Sequence, residues 1–139
     1  MTTYSRFAWR YLDREAAQLL WDELVDWVGW VRYRYQLSKY IKPCWYRHGG
    51  VVEELTALMV SHTAVYTAPD TAKEGAEYSE EMTAWHTHFL WPVMHRLPTE
   101  NDYSTCSATH CKYRPTRQPD IDGLSEFIAL DVNARPGDL

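Results

Sequence analysis

Three cysteines and six histidines are the residues best equipped for chemistry in this chain of 139 residues. Cys106-Ser-Ala-Thr-His110-Cys111 packs three soft or borderline donors into one short stretch. Zinc is held by such donors in tetrahedral sets. In a loop, Cys106 and His110 can converge on one ion, whereas the adjacent His110 and Cys111 rarely ligate the same centre. Cys44 and His48 repeat the four-residue offset. The spacing makes Cys106, His110, His88 and His48 candidate ligands of one structural zinc, with Cys44 or Cys111 as alternatives and His86 as a further source. No Cys-x-x-Cys pair is present, so this is not a finger signature. Trp85-His-Thr-His88 with His95 beyond is a second histidine group. On a helix His88 and His95 share a face and His86 points elsewhere, so a helical His-x-His does not chelate as it would on a strand. The spacing is read as one buried, hydrogen-bonded histidine and two exposed ones.

Other catalytic signatures are missing. Gly49-Gly50 lacks the rest of a phosphate loop, and there is neither a Gly-x-Ser-x-Gly elbow nor a His-Glu-x-x-His pair. The paired acids Glu53-Glu54 and Glu80-Glu81 fall at expected helix starts, where the dipole favours them. Cys106 and His110 have no orienting third group for nucleophilic catalysis.

Charge is unevenly spread. The formal net charge is -5, yet no acid occurs between Asp26 and Glu53. Arg32, Arg34, Lys39, Lys42 and Arg47 lie in that window, interleaved with Tyr33, Tyr35, Tyr40, Trp45 and Tyr46. Lys112, Arg114 and Arg117 form a second basic group. Basic residues among aromatics suit single-stranded nucleic acid. They equally suit an acidic protein face, including that of a second copy. The candidate binding residues are Arg32, Arg34, Tyr35, Lys39, Tyr40, Lys42, Trp45 and Arg47. Seven Trp and ten Tyr against three Phe mark an aromatic bias, read first as core and core rim.

These residues need helices to position them. Leu20, Leu24, Trp27, Val28, Val31 and Tyr35 recur at helical spacing and predict a helix over 13–37, capped by Asp13. Gly29 inside it suggests a close approach by Trp27 and Trp30. A second helix is expected over 51–66, with Val52, Leu55, Leu58, Met59, His62 and Tyr66 on one side. A third is expected over 80–97, with a stripe of Met82, Trp85, Phe89, Val93 and Leu97, and Pro92 should kink or divide it. Residues 67–79 read as a mobile loop, 98–120 as an ordered irregular loop that needs pinning, and 124–131 as a short last helix. The last eight residues, 132–139, read as a frayed tail. The fold class is mainly α: a single domain over 1–139 with three principal helices, a long irregular C-terminal loop region and a short last helix.

Pro43-Cys-Trp-Tyr-Arg-His48 followed by Val52-Glu-Glu-Leu-Thr-Ala-Leu58, then Trp85-His-Thr-His88, Cys106 and His110, resembles an actinobacterial domain-of-unknown-function family, number 4913. The resemblance covers about residues 41–111. Gly49 stands where that family usually carries a proline. The resemblance implies a phage, plasmid or integrative-element setting and no known activity, and it singles out His48, Trp85, His88, Cys106 and His110.

The expected function is a non-enzymatic interaction protein of a phage or mobile element, zinc-stabilised, that binds a host or self protein partner. A nucleic-acid-binding accessory protein using segment 32–47 is the alternative, and a small metal-dependent hydrolase around His88, Cys106 and His110 is a weaker one. No secretory signal opens the chain, no apolar run is long enough to span a bilayer, and an odd cysteine count fits a reducing cytosol. The expected location is therefore cytoplasmic, in the host if phage-encoded, with no membrane partner.

Overall fold

The computed structural model describes residues 2–68, 78–100, 102–113 and 123–137. Among them the chain is mainly helical and contains no strand. The principal helices are α1 (Arg14–Arg34) and α2 (Gly49–Tyr66), followed by a composite helix of α3 (Glu81–Ala84), a π-helical turn (Trp85–Leu90) and α4 (Trp91–Arg96). The last helix is α5 (Leu124–Ala134). None of these helices is long and apolar enough to cross a membrane.

α1 begins where expected, because the Asp13 carboxylate accepts from the Ala16 amide at 2.9 Å. It ends three residues earlier than the hydrophobic spacing suggests. Gln36 adopts a left-handed φ of 54°, and the Leu37 amide reaches back to the Arg32 carbonyl at 2.9 Å. That pairing is a Schellman close. Leu20, Leu24, Trp27, Val28 and Val31 are buried as expected, and Tyr35 is half-buried. Gly29 does not serve a close approach by Trp27 and Trp30. A Cβ there would meet nothing within 4 Å.

α2 starts at Gly49, with His48 as the residue before its first turn. Glu53 and Glu54 consequently lie beyond that turn, not in it. Glu54 instead accepts from Arg96 at 2.8 Å and ties α2 to α4. Val51, Val52, Leu55, Thr56, Leu58 and Met59 are buried, whereas Tyr66 is exposed.

The third helical region departs most from simple periodicity. A π turn takes five residues where an α turn takes four. Trp85 and Leu90 are therefore both buried, with Val93, Met94 and Leu97 continuing the face. Phe89 and Met82, expected in the core, are exposed. Pro92 supplies the cause. It has no amide for the helical ladder, and the wider turn sits just before it, with the Trp91 amide donating to the His86 carbonyl.

Three tryptophans in or against the core find a polar partner on α2. Trp9 Nε1 donates to Thr56 Oγ1 at 2.8 Å, Trp27 Nε1 to His62 Nδ1 at 3.3 Å, and Trp85 Nε1 to Ser61 Oγ at 2.9 Å. This is how an indole is buried without an orphaned N–H.

Beyond α4 the chain forms short 3-10 turns at Leu97–Thr99 and Asp102–Thr105, then runs irregularly to Tyr113. The expected mobile loop falls largely on residues 69–77, and the end of the expected irregular loop on 114–120, both outside the described residues. The expected frayed tail is overturned at its start. α5 continues through Ala134, and Arg135 pairs with Asp131 one turn back at 2.9 Å.

Candidate metal centre

Two distant stretches of chain meet beside the start of α2. The first is the loop before it, where Cys44 precedes a 3-10 turn (Trp45–Arg47) and His48 follows. Val52 donates its amide to the His48 carbonyl at 3.0 Å, which fixes His48 at the helix entrance. The second stretch is 102–113. Tyr103 is fully buried and anchors it. Its hydroxyl donates to the Tyr40 carbonyl at 2.7 Å and accepts from the Lys42 amide at 2.6 Å. The Lys42 ammonium also reaches the Tyr103 carbonyl at 2.7 Å. Burial pushes the Tyr103 hydroxyl up to about 12, with the Lys42 amide acting in the opposite direction. It remains a neutral donor at ordinary pH.

The docking brings Cys44, His48, Cys106 and Cys111 together, with one ligating atom from each within 4.8 Å of all the others. His48 Nε2 stands 3.4 Å from Cys44 Sγ, 3.5 Å from Cys106 Sγ and 3.5 Å from Cys111 Sγ. Cys106 Sγ and Cys111 Sγ are 3.9 Å apart, far beyond a disulfide bond of about 2.05 Å. Cys44, His48 and Cys106 are buried and Cys111 is half-buried. Such a group can hold a metal ion.

The surroundings prepare the sulfurs for charge. The Lys112 amide donates to Cys106 Sγ at 3.1 Å and the Tyr113 amide to Cys111 Sγ at 3.3 Å. Between these cysteines the chain reverses tightly. Ser107 donates its amide to the His110 carbonyl at 2.9 Å, and the Ser107 hydroxyl accepts from the His110 amide at 3.0 Å. Tyr103 and Tyr113 pack edge-on against the His48 ring, with centroids at 5.0 and 5.7 Å.

Without a cation the thiols conflict. Burial pushes Cys44 up to about 12, and its hydrogen bonds to Cys111 and Cys106 add to the rise. For Cys111, burial acts upward, but the Tyr113 amide and hydrogen bonds with Cys44, His48 and Cys106 outweigh it and bring the thiol down to about 7. One member ionises while its neighbour resists. A bound cation relieves that opposition, because ligating thiols deprotonate together.

The structure selects among the residues that spacing nominated. Cys106 and His48 lie in the group, and the alternatives Cys44 and Cys111 both join it. His110 does not. The turn uses its backbone and leaves its side chain exposed. His88 is also outside the group, exposed on the π turn beside Glu80, Thr83 and Thr87. His86 is half-buried, its Nε2 2.7 Å from the Tyr35 hydroxyl and its Nδ1 2.6 Å from the Met82 carbonyl, while His95 is exposed. Two exposed histidines and one hydrogen-bonded one agree with the spacing, but the bonded one is half-buried and not buried as expected.

The basic-aromatic segment is largely committed to internal contacts. Arg32 Nε donates to the Ile41 carbonyl at 2.6 Å, Lys42 holds Tyr103, Tyr35 holds His86, and Trp45 is buried. Tyr40 is half-buried, and Arg34, Lys39 and Arg47 remain exposed. Arg114 and Arg117 lie outside the described residues. The chain matches no protein-family model, no curated protein and no solved structure.

Proposed function

We propose that this is a non-enzymatic interaction protein of a phage or mobile element, and that one structural zinc ion staples its C-terminal third to the helical body. The observation that carries the reading is the closed set of four protein ligands, Cys44, His48, Cys106 and Cys111. Three cysteines and one histidine are a structural zinc set, whereas catalytic zinc keeps one position for water or substrate. Four of the six ligand-to-ligand distances support zinc, and all six lie within 4.8 Å. Bonds of about 2.3 Å to sulfur and about 2.0 Å to nitrogen give tetrahedral edges of about 3.5 Å for S···N and about 3.8 Å for S···S. The S···N edges here are 3.4, 3.5 and 3.5 Å, and the Cys106–Cys111 edge is 3.9 Å. The amide donors to Cys106 and Cys111 are the outer-shell partners that thiolate ligands use. The mobile-element setting is carried over from the sequence resemblance across about residues 41–111 and not from the four ligands. With the ion's coordination filled by the protein, function is assigned to surfaces, and the partner to a protein.

The test is the metal content of untagged protein by mass spectrometry. About one zinc per chain is expected. A Cys106→Ser variant should lose it together with thermal stability, and a His110→Ala variant should keep both. Protein prepared without chelators that carries no zinc, or loses it equally in the His110 variant, would overturn the staple.

A further inference from the structure

The four ligands are not equally placed. Cys44, His48 and Cys106 are buried, at 9%, 5% and 6% exposure, while Cys111 is half-buried between the exposed His110 and Lys112. An oxidant arriving from solution therefore meets the Cys111 sulfur first, because oxidation follows thiolate character and access. Zinc binding supplies the thiolate.

The fold also fixes which sulfur answers. The Ser107 amide bonds the His110 carbonyl at 2.9 Å across Ala108 and Thr109, as at the tip of a hairpin. Cys106 and Cys111 flank that closing pair. Across a hairpin this is the position where opposed Cα atoms are closest, at about 4.5 Å. Disulfides span Cα separations of about 4.4–6.8 Å. The two sulfurs are already 3.9 Å apart, so bonding them closes one loop and moves no helix. Cys44 stands on the other stretch of chain, buried ahead of α2.

We propose that this loop is a site of oxidation by hydroperoxides, in which Cys111 attacks, Cys106 resolves, and the disulfide they form ejects the zinc. The proposal rests on the zinc reading above. With hydrogen peroxide, the Cys111 thiolate attacks one oxygen and the O–O bond breaks. Hydroxide leaves and takes a proton from solvent, and Cys111 becomes a sulfenic acid. The Cys106 thiolate then attacks the Cys111 sulfur, the S–O bond breaks, and a second hydroxide takes a proton. The two thiolates have given two electrons to one peroxide, which ends as two waters. Zinc keeps its oxidation state throughout. Only Cys44 and His48 are left to hold it, which is half of a closed set, and the ion departs. Residues 106–113 are then released from the body while Tyr103 holds 102–105.

The test treats the full, zinc-loaded chain with hydrogen peroxide, reading released metal with a colorimetric chelator and mapping thiols by tryptic mass spectrometry. About one zinc should leave per peroxide consumed, and dithiothreitol with added zinc should restore it. Trypsin places Cys44 in peptide 40–47 and places Cys106 and Cys111 together in 97–112. Peptide 97–112 should lose a pair of hydrogens and resist alkylation, while 40–47 remains open to it. A Cys111→His variant keeps a Cys2His2 zinc set. It should release zinc at least about tenfold more slowly, since both its remaining sulfurs are buried. A crosslink of 40–47 to 97–112, or release from Cys111→His at the wild-type rate, overturns the switch. If that variant binds no zinc, the wild-type peptide map decides alone. Loaded protein that keeps its zinc through excess peroxide overturns the switch and leaves the staple standing. Protein with no zinc before peroxide is added overturns both.

Discussion

His62 lies in a ring of aromatics. Its centroid is 4.3 Å from Tyr66, 4.8 Å from Trp85, 5.2 Å from Trp30 and 5.7 Å from Trp27. Nδ1 accepts the Trp27 indole proton, which places the neutral ring's own proton on Nε2. Nε2 is buried with no partner among the described residues. Burial first, and then the charge of nearby His86, hold its pKa below the usual histidine value. Folding therefore favours the neutral ring. Its contribution is complete above the unfolded value of about 6.5 and is lost as pH falls below that point. A His62→Gln variant should lose less melting temperature than wild type between about pH 7.5 and about pH 5. The metal ligands acidify in both proteins, so an equal drop would show that His62 contributes nothing to the slope. At this scale the site was half legible. The repeated offset of Cys44–His48 and Cys106–His110 pointed at the right loops. The choice of Cys111 over its neighbour His110 depends on the Ser107–His110 reversal, which spacing does not encode.

Helix α1 shows what a regular period can reveal, and the π turn shows what it cannot. Every α1 position nominated for the core is buried or half-buried, because nothing interrupts the 3.6-residue repeat. In the third helical region the same counting placed Phe89 inward, and the five-residue step from Trp85 gave that place to Leu90. Leu90→Ala should accordingly cost about 2–5 kcal/mol, as for other buried leucines. Phe89→Ala should stay within about 0.5 kcal/mol of wild type, as for an open surface site. Urea unfolding of the two variants decides the register, and comparable losses would restore the regular helix. The start of α2 was misplaced for a related reason. Acids usually mark a first turn, but here Glu54 is engaged by Arg96 and His48 supplies the entrance.

At the scale of the whole molecule, two attachments hold the C-terminal third. One is Tyr103, locked into the 40–42 backbone by hydrogen bonds. The other is the Cys/His group. They differ in chemistry, so they separate on chelation. Removing metal should expose residues 106–113 to protease while Tyr103 keeps 102–105 in place and the helices persist. Limited proteolysis with mapped fragments, run with and without chelator, should show new cuts confined to that stretch. Cuts spread through α1 and α2 would mean that the ion supports the entire fold. The charge asymmetry was plain in the sequence. Which cations are internal was not, because Arg32 and Lys42 spend their donors on carbonyls that only the folded chain brings near.

The π turn also bears on how the chain tolerates changes in its length. One residue between Trp85 and Leu90 is surplus to the buried face, and the exposed His88 is a natural choice. Its deletion would let an ordinary α turn carry the same two side chains inward. Pro92 forbids that on its own, since a regular helix places its ring against the carbonyl of the preceding turn at about 3 kcal/mol. Deletion of His88 should therefore be destructive alone and tolerated with Pro92→Ala, so that the extra residue and the proline form a single structural unit.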